Sequence, residues 1–389
     1  MSPRRSILTA AGLVALLHLA IGMRLLPPLP IAFGWKVAIA LWLAVSTVSM
    51  PAALIARRLE RPWKDRVSWL GMTAMGLFST LLVLSVVREL VLLACLLAGW
   101  YPPALQAWSA AITLALALGV TLAGLYNARR VARVVRVDVP IANLPAALEG
   151  FTIAQLSDIH VGPTIKRGYL QRIVERVNGL RADAIALTGD LVDGSVPELA
   201  PHTAPFGALQ ARHGVYVVTG NHEYYAGAHA WIAELQRLGL RVLLNEHVTV
   251  ERDGATLVLA GVTDYTAGGF DPAHRSDPQR AVTGAPADAA VRIVLAHQPR
   301  SAPAAAAAGF DLQLSGHTHG GQFWPWNLFV PMQQPYVAGL HRHENMWIYV
   351  SRGTGYWGPP KRFGAPSEIT LIRLTRLTQP TRQAASAQR

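Results

Sequence analysis

Long, nearly uninterrupted apolar runs fill the first third of the sequence and limit what this part of the chain can fold into. Four of them reach roughly 20 residues or more, the length that crosses the hydrocarbon core of a bilayer as an α-helix. They are Ile7 to Leu26, Ile31 to Ile55, Trp69 to Trp100 and Ala104 to Tyr126. After Arg129, apolar and polar stretches alternate as in a soluble domain. The sequence therefore predicts a helical membrane bundle of about four spans over residues 1–128, followed by a soluble domain.

Two details of the apolar half leave alternatives. The first run alone has the form of a signal peptide, but three further spans argue against a cleaved leader. The third run contains Arg88 and Glu89, an ionisable pair that is either functional or structural. We favour a structural role, near the interface or against a neighbouring helix, because the pair lies towards the end of a long span. The single cysteine, Cys95, excludes an intramolecular disulfide and a cysteine metal site.

Basic residues mark one side of the predicted bundle. They are Arg4 and Arg5 before the first span, Arg57, Arg58, Arg61, Lys64 and Arg66 after the second, and Arg129, Arg130, Arg133 and Arg136 after the fourth. The positive-inside rule then predicts a multi-pass protein of the inner membrane with its soluble domain in the cytoplasm. This distribution also explains the net charge of +12 without a nucleic-acid partner. The alternative is that Arg4 and Arg5 form a twin-arginine signal, which would export the domain.

Five short apolar runs in the soluble half each end in Asp, Asn or His. They are Phe151 to Leu156, Asp183 to Leu187, Val215 to Val218, Val291 to Leu295 and Asp311 to Leu314. Ligand sites form at the carboxyl ends of strands in layered α/β folds. The patterns of Tyr169 to Leu180 and Trp231 to Leu238 predict amphipathic helices, whereas Trp347 to Ser351 and Glu368 to Leu374 add strands. We expect an α/β domain built on a mixed two-sheet β-sandwich flanked by helices.

The predicted domain boundaries follow from this pattern. Residues 129–150 form a linker and the first strand, residues 151–375 form the soluble domain, and residues 376–389 form a disordered tail.

The polar residues after these strands have the chemistry of a two-metal site. They are Asp158, His160, Asp190, Asn221, His297, His317 and His319. Carboxylate, amide and imidazole ligands suit manganese, iron or zinc rather than calcium, and seven exceed what one tetrahedral ion needs. Two ions about 3.5 to 4 Å apart need a bridge, for which Asp190 is the candidate. A hydroxide bridging the two metals would then attack phosphorus in line with the leaving group.

Residues next to the candidate ligands have supporting roles. His222 directly follows Asn221, so we assign it as the acid that protonates the leaving oxygen, the alternative being a structural histidine. A glycine precedes Asp190, Asn221 and His317, where a strand that turns sharply needs permissive dihedral angles.

The sequence context of the other polar residues predicts their roles. Asp193 and Glu223 are expected to contact metal-bound groups. Arg352 either binds a substrate phosphate or forms a structural ion pair. Six further histidines without a motif are expected on the surface: His202, His213, His229, His274, His341 and His343.

The ordered motifs resemble those of the calcineurin-like metallophosphoesterase family. They are Asp158-x-His160, Gly189-Asp190-x-x-Asp193, Gly220-Asn221-His222-Glu223, the His297 segment and Gly316-His317-x-His319. Later residues are similar to a subgroup that includes bacterial YkuE and YaeI, and the N-terminus is similar to transmembrane proteins with this domain. The resemblance implies a metal-dependent phosphoester hydrolase with one metal on Asp158, His160 and His319. It implies a second metal on Asn221, His297 and His317, with Asp190 bridging.

The substrate is indicated only indirectly. The segment from Gln322 to Pro331 is strongly apolar and aromatic, and it either is buried under the sandwich or rests at the lipid headgroups. Because the domain is tethered close to a bilayer, we favour a lipid-linked phosphodiester or pyrophosphate over a monoester. A metal-binding regulatory or sensor module on a membrane protein is the alternative function. No feature of the sequence fixes an oligomeric state.

The predicted orientation can be checked with two reporters fused after Arg389. We expect a fluorescent protein to be bright and alkaline phosphatase to be inactive, because the last basic cluster holds the domain inside. Phosphatase activity in the periplasm would support the twin-arginine alternative instead.

Overall fold

The computed structural model describes residues 3–377, and side chains for residues 9–377 other than Arg57. Four helices form the apolar half: α1 (Pro3–Leu25), α2 (Phe33–Ile55), α3 (Trp63–Leu97) and α4 (Pro103–Arg129). In this described part, α2, α3 and α4 are long and apolar enough to cross a membrane, and α1 contributes a shorter apolar stretch, Thr9–Leu25. The predicted helical bundle is confirmed. The tail beyond Leu377 and the Ser2 start of the twin-arginine alternative lie outside the described residues.

The helical unit buries one apolar cluster and exposes many large apolar side chains. The cluster includes Leu25, Leu43, Phe78, Leu81 and Ala117. Large apolar side chains such as Leu16, Val48 and Leu97 remain exposed along the same helices. A helix surface of this kind is stable where lipid, not water, is the solvent. The exposure pattern therefore agrees with the prediction of membrane spans.

The Arg88–Glu89 pair is held by its neighbours within the helical unit. The Arg88 side chain is 4% exposed and forms an ion pair of 2.6 Å with Glu89. Its guanidinium also donates to Ser109 Oγ at 2.9 Å and to the Gln106 carbonyl at 3.1 Å. Glu89 in turn accepts from Arg24 Nε at 2.9 Å. These contacts agree with the structural interpretation, because they stabilise the charge inside the bundle.

A segment from the far end of the sequence belongs to the helical unit. Tyr356–Gly364 and Phe323–Pro325 group with residues 1–130. Lys361 is almost fully buried there, and its ammonium donates to the Gly76 carbonyl at 3.0 Å and to the hydroxyls of Thr80 and Thr121. A Cβ at Gly124 would lie 2.6 Å from Lys361 Cγ, so glycine makes room for the lysine stem.

This arrangement differs from the expectation of one soluble domain over residues 151–375. The reason is that Lys361 finds its hydrogen-bond acceptors on helices far away in the sequence.

The remaining residues form a sandwich of two mixed sheets with helices. The strands are β1 (Arg133–Ile141), β2 (Thr152–Leu156), β3 (Ala184–Thr188), β4 (Val215–Val218), β5 (Arg241–Val242), β6 (Glu246–Arg252), β7 (Ala255–Gly261), β8 (Val291–Leu295), β9 (Leu312–Ser315), β10 (Gly339–His343), β11 (Met346–Val350) and β12 (Glu368–Arg376). The helices are α5 (Arg167–Asn178), α6 (Val196–Thr203), α7 (Asn221–Ala226), α8 (Ala228–Arg237), α9 (Pro278–Val282) and α10 (Ala302–Ala307). The predicted fold class is confirmed.

The strand order brings the predicted site loops to the ends of parallel strands. One sheet has the order β1-β12-β2-β3-β4-β5 and the other β10-β11-β9-β8-β7-β6. Strands β2, β3 and β4 are parallel, as are β7, β8 and β9. Apolar side chains of both sheets, among them Ile153, Leu259 and Leu314, share one core. The carboxyl ends of neighbouring parallel strands lie at the same edge of a sheet, so the loops that follow these strands lie together.

The sequence predicts the strands that precede the candidate ligands but misses β7, although five of its seven residues are buried. The five predicted strands with site loops correspond to β2, β3, β4, β8 and β9, and the two predicted helices to α5 and α8. The hairpin of β6 and β7 was not predicted. Strand β6 is only partly buried and carries Glu246, His247 and Thr249, so it lacks a continuous apolar run.

Replacing Lys361 by alanine should destabilise the helical unit. The change removes a buried stem and leaves three acceptors without their donor, which costs about 2–4 kcal/mol of unfolding free energy. Thermal unfolding of the full-length protein in detergent measures the effect. Lys36→Ala is the matched control, because Lys36 donates to the Pro27 carbonyl in an exposed hydrogen bond. Equal unfolding midpoints for the two variants would contradict the assigned role of Lys361.

Candidate metal centre

The loops after five strands bring the predicted ligand residues to one end of the sandwich. Asp158 and His160 follow β2, Asp190 follows β3, Asn221 begins α7 after β4, His297 follows β8, and His317 and His319 follow β9. All are buried except His317, which is partly buried. Buried carboxylates need nearby cations or hydrogen-bond donors to compensate their charge, and buried imidazoles need partners for their nitrogen atoms.

The first group consists of Asp158, His160 and His319. One potential ligand atom from each lies within 4.8 Å of the others. The Nε2 atoms of His160 and His319 face each other at 3.1 Å, and His319 Nε2 lies 3.4 Å from Asp158 Oδ1. The backbone N–H of His317 donates to both carboxylate oxygens of Asp158 at 3.0 Å and fixes its plane.

The second group consists of Asp190, His297 and His317, whose ligand atoms also lie within 4.8 Å. His297 Nε2 lies 3.1 Å from Asp190 Oδ2 and 3.2 Å from His317 Nδ1. His297 Nδ1 donates to the Thr188 carbonyl at 2.7 Å, which leaves Nε2 as the free ligand atom. The chain therefore fixes the tautomer that a metal site requires.

The two groups fit a pair of divalent cations. The Asn221 Oδ1 atom is buried without a hydrogen-bond partner, as expected of an atom that a cation would satisfy. Asp190 Oδ2 lies 3.1 Å from His297 Nε2 and 4.0 Å from His160 Nε2, so its carboxylate lies between the groups. The division of these ligands between two ions and the bridging role of Asp190 stay predictions.

Asp193 orients two histidines at once. Its Oδ1 accepts from His160 Nδ1 at 2.9 Å and from His222 Nδ1 at 2.6 Å. The Nε2 atoms of both rings are thereby turned away from Asp193, and that of His222 lies 3.9 Å from Asp190 Oδ2. The rings of His160 and His222 meet edge to face at 4.7 Å. Asp193 therefore contacts the candidate ligand His160 and the predicted acid His222 through one oxygen.

Glu223 stabilises the turns that carry the candidate ligands. Its carboxylate accepts from the backbone N–H groups of Asp190 at 2.9 Å, Leu191 at 2.7 Å and Gly220 at 2.7 Å. Burial and the nearby charge of Asp190 raise the pKa of Glu223 to about 7. The carboxylate therefore joins the loops after β3 and β4.

The surrounding charges shift two further groups. Burial lowers the pKa of His222, but the hydrogen bond to Asp193 and the charge of Asp190 outweigh it and raise the pKa to about 9. Burial and the charge of His297 lower the pKa of His317 to about 3. At neutral pH, the His222 imidazole is therefore protonated and the His317 imidazole is neutral.

Five of the seven candidate ligands have left-handed backbone conformations. Their φ angles are 53° at Asp158, 54° at His160, 54° at Asp190, 70° at His317 and 52° at His319. This region is uncommon for residues other than glycine, and it persists where surrounding contacts fix the backbone. Such conformations cluster at functional sites. No local sequence pattern would have revealed them.

Gly220 shows why a glycine precedes a candidate ligand. A Cβ at this position would lie 2.2 Å from Asp190 Oδ1 and 2.5 Å from the Asp190 backbone nitrogen. The backbones of the two loops therefore touch, which agrees with the predicted need for a small residue.

The structure supports the ion-pair alternative for Arg352. Its Nη1 lies 2.9 Å from Glu368 Oε2, and its side chain is 36% exposed. A contact with substrate phosphate stays a prediction.

The aromatic pair beside His222 was not predicted from the sequence. Tyr225 lies 5.1 Å from the His222 ring and 5.6 Å from Phe270, measured between ring centroids. Both aromatic residues are more than half exposed. Two consecutive tyrosines, Tyr224 and Tyr225, directly after the Gly220-Asn221-His222-Glu223 motif are the signal that could have identified this position.

The aromatic segment from Gln322 to Pro331 is mostly exposed. Gln322 and Phe323 are buried, whereas Trp324, Trp326, Leu328 and Phe329 are between 41% and 62% exposed. The alternative in which this segment lies buried under the sandwich is therefore wrong. Its consecutive 3₁₀ turns, Trp326–Leu328 and Val330–Met332, turn apolar side chains towards solvent.

Comparison with known proteins agrees with these features. Residues 151–321 match the family described as calcineurin-like phosphoesterase. The chain is 41% identical to a transmembrane protein with metallophosphoesterase domain from Danio rerio, over 67% of this chain and 62% of that protein. It is 36% identical to the Bos taurus protein of the same name, over 87% and 80%. It is 30% identical to the metallophosphoesterase YkuE of Bacillus subtilis, over 59% and 81%. The chain thus spans about three fifths of the Danio rerio relative.

Replacing Gly220 by alanine should disrupt the candidate centre. The new methyl group would push against Asp190, so we expect loss of at least one equivalent of bound metal. Metal analysis after dialysis measures the loss. Gly168→Ala is the matched control. Gly168 lies on helix α5, and a Cβ added there would have no neighbouring atom within 4 Å. Full metal content in Gly220→Ala would contradict the contact with Asp190.

Proposed function

This chain belongs to the calcineurin-like metallophosphoesterase family, and we propose that it is a membrane-anchored phosphodiesterase with a dinuclear metal centre. The observation that carries the proposal is the position of the Asp190 carboxylate between two groups of imidazole and carboxylate ligands. The mixture of nitrogen and oxygen donors favours manganese, iron or zinc. Asp158, His160 and His319 would hold one ion, and Asn221, His297 and His317 the other.

The chemistry divides between the cations and the protein. Two divalent cations at this centre would lower the pKa of water near phosphorus and neutralise charge on the phosphoryl oxygens. His222 donates a proton to the leaving oxygen from Nε2, because Asp193 holds Nδ1 and orients the ring. The His222 side chain is 15% exposed, so substrate can approach it from solvent. The Glu223 carboxylate holds the loops of Asp190 and Gly220 together by accepting hydrogen bonds from their backbone N–H groups.

A substrate with a second group beyond the phosphate is favoured by the aromatic pair. Tyr225 and Phe270 present an exposed apolar surface next to His222. An apolar surface next to the phosphate site can contact the second ester group of a diester or the second half of a pyrophosphate, which a monoester lacks. This arrangement supports phosphodiester over phosphomonoester hydrolysis.

A lipid-linked substrate is the preferred class. The membrane helices hold the protein at a bilayer, and Trp326, Leu328, Phe329 and Met332 expose apolar surface of the kind that enters lipid headgroups. A substrate anchored in the same membrane would be concentrated on the surface that carries the protein. A soluble nucleotide would gain nothing from these features.

The proposed activity is tested with full-length protein purified in detergent and loaded with Mn²⁺. We expect faster hydrolysis of bis-p-nitrophenyl phosphate than of p-nitrophenyl phosphate. Asp190→Asn should lose activity together with bound metal. His222→Ala should lower kcat about 10²- to 10⁴-fold while metal content stays unchanged, because only proton transfer is lost. His341→Ala, on strand β10, serves as the control substitution.

Each outcome separates the alternatives. Metal loss in His222→Ala would make this histidine a ligand rather than an acid. A fully metal-loaded wild-type protein without hydrolysis of either compound would favour the sensor-module alternative. In the same assay, phospholipids and nucleotide-linked lipids in mixed micelles should be cleaved. Activity confined to soluble nucleotides would overturn the lipid-linked class.

A further inference from the structure

A second cluster of ligand-type side chains lies apart from the candidate metal centre. His229 lies on α8, Asp271 caps the start of the 3₁₀ turn Pro272–His274, and His274 ends it. One nitrogen or oxygen atom from each lies within 4.8 Å of the others. His229 Nε2 lies 3.0 Å from Asp271 Oδ2, and the two imidazole rings are 4.9 Å apart. We propose that these three residues bind a further divalent cation of the zinc type.

The atoms that would not bind the cation are held by other residues. His274 Nδ1 lies 2.9 Å from the Tyr224 hydroxyl, which leaves Nε2 as the ligand atom. Asp271 Oδ1 accepts the Ala273 backbone N–H at 2.9 Å, so Oδ2, which lies 3.0 Å from His229 Nε2, is the oxygen that would bind the cation. The His274 carbonyl accepts from Thr263 Oγ1 at 2.7 Å and anchors the turn. Metal-binding histidines commonly have their second nitrogen fixed in this way.

The donor set determines the class of cation. Two imidazoles and one carboxylate form a three-ligand zinc site in which water completes the tetrahedron. Hard cations such as Mg²⁺ and Ca²⁺ prefer oxygen ligands and would bind this set poorly. The His229 side chain is 74% exposed, so a cation can enter directly from solvent.

The position of the cluster connects it to the proposed substrate surface. Tyr224, the partner of His274, lies on α7 with Asn221 and His222. Phe270 directly precedes Asp271 and packs against Tyr225. A bound cation would therefore fix the turn carrying Phe270 next to the helix carrying His222. His229 and His274 were expected only as surface histidines, because they lie far apart in sequence and outside any motif.

Metal stoichiometry tests the site independently of the proposed activity. The full-length protein and its variants are stripped with chelator, dialysed against micromolar Zn²⁺ and analysed for bound metal. We expect His229→Ala and Asp271→Asn each to bind one equivalent less zinc than wild type. The His341→Ala control should bind as much zinc as wild type. The test uses only the difference in zinc content between each variant and wild type, so it holds however many ions the candidate metal centre binds.

Two further measurements keep the result interpretable. The metal-free variants should unfold at the wild-type midpoint, which the high exposure of His229 favours. In Co²⁺-loaded protein, one equivalent of tetrahedral visible absorption should disappear in His229→Ala. Equal zinc content in wild type and both variants, or a difference that appears only at millimolar zinc, would overturn the site. An unchanged Co²⁺ spectrum would overturn it as well.

Discussion

The carboxylate of Asp190 is the group on which the rest of the soluble domain's site depends. One oxygen lies between His297 and His160, and the other accepts the backbone N–H of His222. Although burial alone would raise its pKa, the charge of His297 and a hydrogen bond to it hold the pKa of Asp190 well below its usual value. A carboxylate kept ionised in a buried place attracts cations and positions every group that approaches it. The loops after β4 and β8 contact this one side chain through the His222 backbone N–H and the His297 ring.

That convergence is costly for the backbone, and the cost explains the residues around the centre. Left-handed conformations at Asp158, His160 and Asp190 are unfavourable for residues with a Cβ. The hydrogen bonds from Glu223 and the close contact at Gly220 hold the loops in this arrangement. Stability and function therefore compete at these turns, and the buried strands beneath supply the rigidity. Proteins commonly store backbone strain at sites where ligand geometry matters.

The helical unit follows different rules, because its charged groups lie where water is scarce. Arg88 and Lys361 are both buried there, and each is surrounded by acceptors from neighbouring helices or loops. A cation in such surroundings is stable only when its donors are matched. Arg88 lies within helix α3, whereas Lys361 lies on a segment that follows β11 in the sequence. The same physical requirement thus explains two residues that the sequence places very far apart.

Local patterns in the sequence were enough to predict the membrane helices, the buried strands that precede the candidate ligands and the order of Asp, Asn and His residues at the strand ends. These features are readable because helix length, strand burial and strand-end motifs each involve neighbours along the chain. The tertiary structure alone decided which imidazoles face each other, that Asp193 orients both His160 and His222, and that Glu368 engages Arg352. It also decided that His229, Asp271 and His274 meet, and that Lys361 lies among the helices. Each of these depends on contacts between residues distant in sequence, which only the packing of strands, helices and loops brings within bonding distance.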